Sequence, residues 1–341
     1  MDHHPKISVV MPVFNREAYV AEAIESILGQ TFSDFEFIII DDGSNDDSLQ
    51  IIKNYAHKDE RIRVRQNPHN MGIAESRNAG IQQAQGRLIA FMDSDDISLP
   101  ERFEKQIDFL NNHPEIAALG TACAFYRPSG ELHAVLNVPA LPIEIRWSLI
   151  TMSTLINPSM MARVELFTQH GFWHKNLKAA SDFDFWSRVS SELPIANLPE
   201  VLVHMRLHPE RISSTAQNNQ RQNAIQIVRR QVRQNIGLEL TDQQVEGLRY
   251  PSRIAKTRDA VFIGRVYARL LQSALTWSDD PVDQHKVRQL AAAAIWRLGK
   301  VKKKYARFLL FAAYTFWISP TTALRLFAEQ IRRNHTPSGI R

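Results

Sequence analysis

Leu88-Ile89-Ala90-Phe91-Met92-Asp93-Ser94-Asp95-Asp96 is the stretch on which the reading of this chain turns, because an apolar run stops abruptly at three carboxylates. If 88–92 is a buried strand, its end delivers Asp93, Asp95 and Asp96 together to the lip of a sheet. There, mutual repulsion makes a bound cation the natural partner. The other reading is an acidic turn leading into the helix that starts near Pro100, since Asp is common at turns and helix starts. The stretch alone leaves both open.

Working outward, Ile7 to Met11 reads as a short buried strand closed by Pro12, and Glu17 to Gln30 places Val20, Ile24, Ile27 and Leu28 at helical spacing. Phe35 to Ile40 is a second apolar run. It ends in the acidic turn Asp41-Asp42-Gly43-Ser44-Asn45-Asp46, and a helix follows over Ser48 to Ala56. A third strand, Ile62 to Gln66, leads through the loop 67–72 to a helix over Ala74 to Gln83 and then to the strand before Asp93. Strand and helix therefore alternate four times. The fold class is α/β, with a Rossmann-like, mostly parallel sheet that binds ligands outside the carboxyl ends of its strands. Both acidic turns fall at such ends. No G-x-G-x-x-G follows the first strand and no P-loop signature occurs, which argues against a dinucleotide dehydrogenase or a P-loop hydrolase.

From 100 to 215 the pattern mixes. A helix over Pro100 to Asn111 precedes a strand near Ile116 to Tyr126, a short strand is expected at Pro158 to Ala162, and a helix opens at Ser181. Val201 to His208 alternates like an edge strand running into a loop.

The net charge of +5 hides an asymmetry: residues 1–215 carry 19 basic and 28 acidic groups, residues 216–341 carry 22 and 8. A domain boundary is placed near 215. An acidic first part suits a metal-dependent site, and a basic tail suits phosphate, nucleic acid or an anionic membrane. The single Cys123 excludes an intrachain disulfide framework and a cysteine zinc site. Met1 to Pro5 lacks the basic and apolar regions of a signal peptide, so the expectation is a cytoplasmic protein.

The order of motifs over residues 6–215 resembles the family 2 glycosyltransferases, inverting enzymes of the A-type glycosyltransferase fold that move a sugar from a nucleotide diphosphate. The resemblance rests on Val9 to Arg16, Ser26 to Phe32, Asp41-Asp42-Gly43-Ser44, Asn70 to Gly80, Asp93-Ser94-Asp95-Asp96, Ser181 to Trp186, and Arg206-Leu207-His208. It implies Asp95 as principal ligand of Mn²⁺ or Mg²⁺, with His208 as a later ligand, and Asp93 and Asp96 at the sugar nucleotide. It also implies a nucleotide floor at Pro12 and Phe14, with Asn15 and Glu17 in the same turn, and Asp41 and Asp42 at the base. Asp42 would accept from a uracil ring nitrogen, making a UDP-sugar the favoured donor, and Arg77 would lie near the diphosphate or base. Asp182 becomes the catalytic base, with Asp184 its competitor. The family's usual Glu-Asp pair is here Ser181-Asp182, which removes one contact. The implied acceptor is a glycan or a lipid-linked molecule in cell-surface polysaccharide synthesis. Other classes open at this point are a sugar nucleotidyltransferase and a non-catalytic sugar-nucleotide binding module.

The tail reads as a basic helical domain, 216–341, with helices over Gln217 to Arg233 and Asp259 to Trp277. Residues 296–318 differ from these. Trp296 to Arg307 is basic and aromatic and leads into the apolar run Phe308 to Ile318, which is shorter than the roughly twenty residues a spanning helix needs. Three readings stand: a segment lying on the inner face of the cytoplasmic membrane, a buried helix, and nucleic-acid binding, for which no recognised module accompanies the charge.

Overall fold

A computed structural model of the chain describes residues 4–177, 179–208, 217–299 and 305–335. The chain divides into two compact units. One spans residues 1–149 and 153–224, the other 150–152 and 225–341.

The first unit is built on a nine-stranded sheet. Strands β1 (Ile7–Val13), β2 (Phe35–Asp41), β3 (Ile62–Gln66) and β4 (Leu88–Phe91) are parallel neighbours in the order β3-β2-β1-β4. Helices α1 (Val20–Leu28), α2 (Ser48–Ala56) and α3 (Ile73–Ile81) make the crossovers. β1 and β2 are buried at every position, which is why they read as unbroken apolar runs: helices cover both faces of such a sheet. The chain goes from β1 outward to β2 and β3, then returns past β1 to β4. The gap between the ends of β1 and β4 is therefore the switch point where ligands of such sheets bind. α1 starts at Val20 rather than Glu17, because Asn15, Arg16 and Glu17 are drawn into hydrogen bonds with the turn after β2.

Beyond β4 the sheet is mixed. After β5 (Ile97–Ser98) and α4 (Arg102–Asn112) come β6 (Ala118–Tyr126), β7 (Leu132–Leu136), α5 (Pro142–Ser148), β8 (Met161–Arg163), α6 (Glu165–His170), α7 (Ser181–Val189) and β9 (Ile195–Arg206). β8 runs antiparallel to both β4 and β6. Pro158 lies in a 3-10 turn, Asn157–Ser159, and the strand begins only at Met161. β9 is not an edge. It starts at Ile195 and is flanked by β6 on one side and the two-residue β5 on the other. The strand is bulged where Leu198-Pro199-Glu200 interrupts its alternation, so only its second half is visible as a pattern in sequence.

One buried cation fixes the floor of the switch point. Arg102, fully buried on α4, donates through Nη2 to the carbonyls of Phe91 (2.9 Å) and Met160 (3.3 Å), and through Nε to Gln106 Oε1 (3.0 Å). Gln106 in turn donates to the carbonyls of Leu119 and Ser159. These bonds tie the end of β4 to the turn before β8 and to β6. Burial holds the guanidinium pKa down at about 10.

The second unit is helical. The last part of α8 (Gln217–Ile236) belongs to it, followed by α9 (Asp242–Arg249), α10 (Thr257–Ala274), α11 (Pro281–Gly299), α12 (Tyr305–Ile318) and α13 (Pro320–His335). α9 opens on a capping box: Gln244 N donates to Thr241 Oγ1 while Thr241 N donates to Gln244 Oε1. α10 buries Ile263, Val266, Tyr267 and Leu270 along one stripe, and the Tyr267 hydroxyl donates to Leu248 O at 2.6 Å. Gly264 lets Phe311 of α12 approach, since a Cβ there would sit 3.0 Å from the ring.

Replacing Arg102 by Met deletes the donor to three buried oxygens. Arg102→Met is expected to destabilise the protein by roughly 2–4 kcal/mol, read as a lower urea midpoint. An unchanged midpoint would remove the clamp from the account.

Candidate active site

The carboxyl ends of β1, β2 and β3 lie level, with Val13 opposite Asp41 and Asp41 opposite Gln66. The turns that follow are laced together. Asn15 N donates to Ser44 Oγ (3.0 Å), and Asn45 N donates back to Asn15 Oδ1 (2.9 Å). Arg16 N donates to Ser48 Oγ (2.7 Å), Glu17 N to Asp46 Oδ2 (3.0 Å), and Asp47 N to Glu17 Oε2 (3.0 Å). Asn15 adopts a left-handed φ of 50° to make this possible, a conformation Asn tolerates better than most residues. Asn15 and Glu17 thus shape the pocket wall through backbone bonding. Burial acts to raise the Asp46 carboxyl, but its hydrogen bonds with Ser48 and Glu17 outweigh this and the pKa is lowered.

Pro12 is buried and Phe14 half-buried at the head of this wall. Asp41 is fully buried. Its Oδ2 accepts from Ser44 N (3.3 Å), and its Oδ1 has no hydrogen-bond partner among the described residues. Asp42 organises the loop 67–72: its carboxylate accepts from Asn67 Nδ2 (2.8 Å), Met71 N (2.9 Å) and Gly72 N (2.8 Å). A carboxylate offers about four acceptor positions, so one remains. Gly43 cannot be replaced without rearrangement, since its φ is +73° and a Cβ would lie 2.7 Å from the His69 backbone.

On the other side of the switch point, the three carboxylates after β4 have different partners. Asp93 Oδ1 accepts from Arg77 Nη2 at 2.7 Å, and Arg77 comes from the buried side of α3. Asp95 Oδ2 lies 2.9 Å from His208 Nε2 and accepts from Arg16 Nε at 3.3 Å. Asp96 is fully buried and accepts from the Arg206 backbone N at 3.1 Å. The pairing of β5 with β9 explains how residues so distant in sequence meet. Ile97 lies opposite His204, so the chains beyond this pair bring Asp96 beside Met205, where it reaches the Arg206 amide, and carry Asp95 on to His208. Tyr19 stacks on the His208 ring at 4.7 Å, and His208 Nδ1 is buried without a hydrogen bond among the described residues.

Asp182 sits in the first turn of α7 and is partly buried. Its pKa is raised: burial disfavours the charge, Arg77 works against that, and Asp93 adds to it. Asp182, Arg77 and Asp93 thus share one electrostatic neighbourhood. Asp184 is elsewhere, buried against Arg188, whose Nε donates to Asp184 Oδ2 at 3.2 Å. That separates it from its competitor, because an ion-paired, buried carboxylate is poorly placed to take a proton. Sequence reasoning gave no role to Arg16, Tyr19, Asn67 or the Arg206 amide, although Arg16 and Arg206 stand inside motifs that drew attention. No periodicity signals which side chains meet across loops.

Asp95 and His208 can approach one cation together. Among the described residues no group of three or more His, Cys, Asp and Glu side chains forms a complete metal cage. The donor set therefore suits an ion held by one or two protein ligands together with substrate phosphates, the usual arrangement for Mg²⁺ at a phosphate site.

Comparison with known proteins agrees with this geometry. The profile of Glycosyl transferase family 2 matches residues 8–171. An uncharacterized glycosyltransferase of Haemophilus influenzae is 31% identical over 241 residues, covering 68% of this chain and 75% of the relative. Among solved structures, S. aureus TarS 1–349 in complex with UDP-GlcNAc superposes with a TM-score of 0.57 at 18% identity, covering 90% of this chain and 89% of that one. The mannosyltransferase PcManGT of Pyrobaculum calidifontis, in complex with GDP-Man and Mn²⁺, gives 0.53 at 16% identity, covering 93% and 88%. At those identities the two structures speak for the fold. A carboxylate-lined switch point on a β3-β2-β1-β4 sheet and a relative matched over three quarters of its length point the same way: this chain is a glycosyltransferase and belongs to glycosyl transferase family 2.

Proposed function

We propose that the protein transfers a sugar from a nucleotide diphosphate donor to a glycan or lipid-linked acceptor with inversion, in cell-surface polysaccharide synthesis, and that the reaction depends on a divalent cation. Residues 1–215 form the catalytic domain in this reading, and the basic helical part from 216 lies outside the chemistry. The observation that carries it is that the carboxylates after β4 gather a base candidate and a cation-binding pair, Asp93 with Arg77 beside Asp182 and Asp95 with His208.

The base lies against Pro12 and Phe14, and the remaining acceptor position of Asp42 takes a ring N–H. Uracil presents one such donor, so a UDP-sugar is favoured. The TarS structure contains UDP-GlcNAc and the PcManGT structure GDP-Man, which makes uridine and guanosine sugars the two donors to compare first. Arg77 offers positive charge to the diphosphate while holding Asp93 toward the sugar, with Asp96 beneath. Asp95 and His208 are the residues that would hold Mn²⁺ or Mg²⁺. Bound there, such an ion would supply positive charge that stabilises the departing nucleoside diphosphate. Asp182 takes the proton from the acceptor hydroxyl as that oxygen attacks the anomeric carbon. Its raised pKa makes it a stronger base than an ordinary aspartate. A nucleotidyltransferase would need a basic, glycine-rich phosphate loop after β1, where residues 15–17 are instead hydrogen-bonded to the turn after β2.

Incubation with a panel of nucleotide sugars and Mn²⁺ should release nucleoside diphosphate, fastest from a uridine donor. Release from none of them would sink the enzymatic reading. Asp182→Asn should lower transfer by about 10²–10⁴-fold while nucleotide binding persists. A raised carboxyl pKa favours the folded state below the unfolded value and loses that advantage as pH climbs through the folded value. The neutral Asn should accordingly melt no lower than the parent at pH 7, and a clear drop in melting temperature would mark Asp182 as structural. His208→Ala should raise the Mn²⁺ concentration for half-maximal rate by about tenfold, and an unchanged titration would place the histidine off the ion.

A further inference from the structure

From Phe308 on, helix α12 is apolar round most of its circumference, yet only one face of it is covered. Phe311, Thr315 and Ile318 recur at helical spacing and are buried within the helical unit, with Thr315 Oγ1 donating to the Phe311 carbonyl at 2.7 Å. The opposite face carries Leu309 (65% exposed), Leu310, Ala313, Phe316 and Trp317 (78% exposed). Tyr314 stacks parallel to Trp317 with ring centroids 6.0 Å apart. The next helix repeats the arrangement, burying Thr322 and Ala323 and exposing Leu324 (63%) and Phe327. A helix that is apolar on every side is normally buried, and large contiguous apolar patches on a protein surface mark interaction sites.

Charge identifies what covers this face. From 284 to the end the chain holds twelve Lys and Arg residues against a single acid, Glu329, which is paired with Arg325 four residues earlier. Lys300, Lys302, Lys303 and Lys304, in the basic and aromatic segment singled out in the sequence, lie outside the described residues and enter here as composition alone. A protein partner would have to bring compensating acid against so one-sided a field, and a second copy could do so through its acidic residues 1–215, not through the same face. An anionic lipid surface supplies negative charge and an apolar layer together. Among the described residues no helix is long and apolar enough to cross a membrane. We infer that the outer faces of α12 and α13 dock this protein in the plane of an anionic bilayer, with Trp317, Phe316, Leu309, Leu310, Leu324 and Phe327 inserted among the headgroups.

The test is flotation of the full chain with vesicles of phosphatidylglycerol and phosphatidylcholine, beside vesicles of phosphatidylcholine alone. Lipid binding needs no donor or acceptor, so its outcome is independent of sugar transfer. The protein should float with the anionic vesicles and much less with the neutral ones, and high salt should weaken binding. Leu310→Gln with Trp317→Gln, both at exposed positions, should reduce partition by about tenfold or more while circular dichroism and nucleoside diphosphate release stay unchanged. A parent protein that sinks with anionic vesicles overturns the inference, as does a double variant that floats equally well. A parent that is dimeric by light scattering, with the variant monomeric, would assign the face to a second copy and overturn it too.

Discussion

The need to compensate carboxylates placed at one end of a sheet shapes this molecule. Asp41, Asp42, Asp93, Asp95, Asp96 and Asp182 crowd around the gap between β1 and β4, several of them buried, where unpaired negative charge is costly. Each solves the problem differently. Asp42 turns it into architecture, since its three hydrogen bonds shape the loop 67–72. Asp96 is tied to the end of β9 by a backbone amide. Asp93 and Asp95 hold arginines, Arg77 and Arg16. Those two pairings are exchangeable in chemical terms, because a cation or a diphosphate can compete for their members. Among the described residues Asp182 has no ion pair of that kind, and its pKa is raised. The carboxylates thus differ in how each charge is compensated.

The scaffold under this cluster is stiff where it needs to be. Arg102 joins β4 to the turn before β8 through carbonyl oxygens and, through Gln106, to β6, and the bonds between the turns after β1 and β2 fix the wall above. A shift in β4 would move Asp93, Asp95 and Asp96 together relative to Arg77 and His208. In the hydrogen-bonded wall the side chains of Asn15 and Glu17 accept from backbone amides of the neighbouring turn.

Much of this was readable before any coordinates. Alternation of apolar runs with helical spacing gave the four parallel strands, because a strand buried on both faces has no polar positions and a crossover helix has a regular stripe. Val201 to His208 read as an edge strand and proved interior, since alternation reports how side chains face and is silent about which neighbours the backbone finds on either side. The short β5 left no pattern at all, being two residues long, yet it brings His208 to Asp95. The surroundings of Asp182 and Asp184 were likewise invisible in local pattern, where only the family resemblance favoured Asp182: two residues apart at the start of one helix, they differ in that Asp184 meets Arg188 and Asp182 meets Arg77 and Asp93.

The sequence by itself determined the α/β class, the acidic turns at the strand ends, the family resemblance and the asymmetry of charge, because those follow from local periodicity, composition and motif order. Tertiary structure decided which partner each carboxylate has and which half of α12 is left bare. Both depend on residues far apart in the chain whose meeting is set by strand register and helix packing, and the stretch Leu88 to Asp96 acquires its chemistry only when Arg16, Arg77, Arg206 and His208 arrive around it.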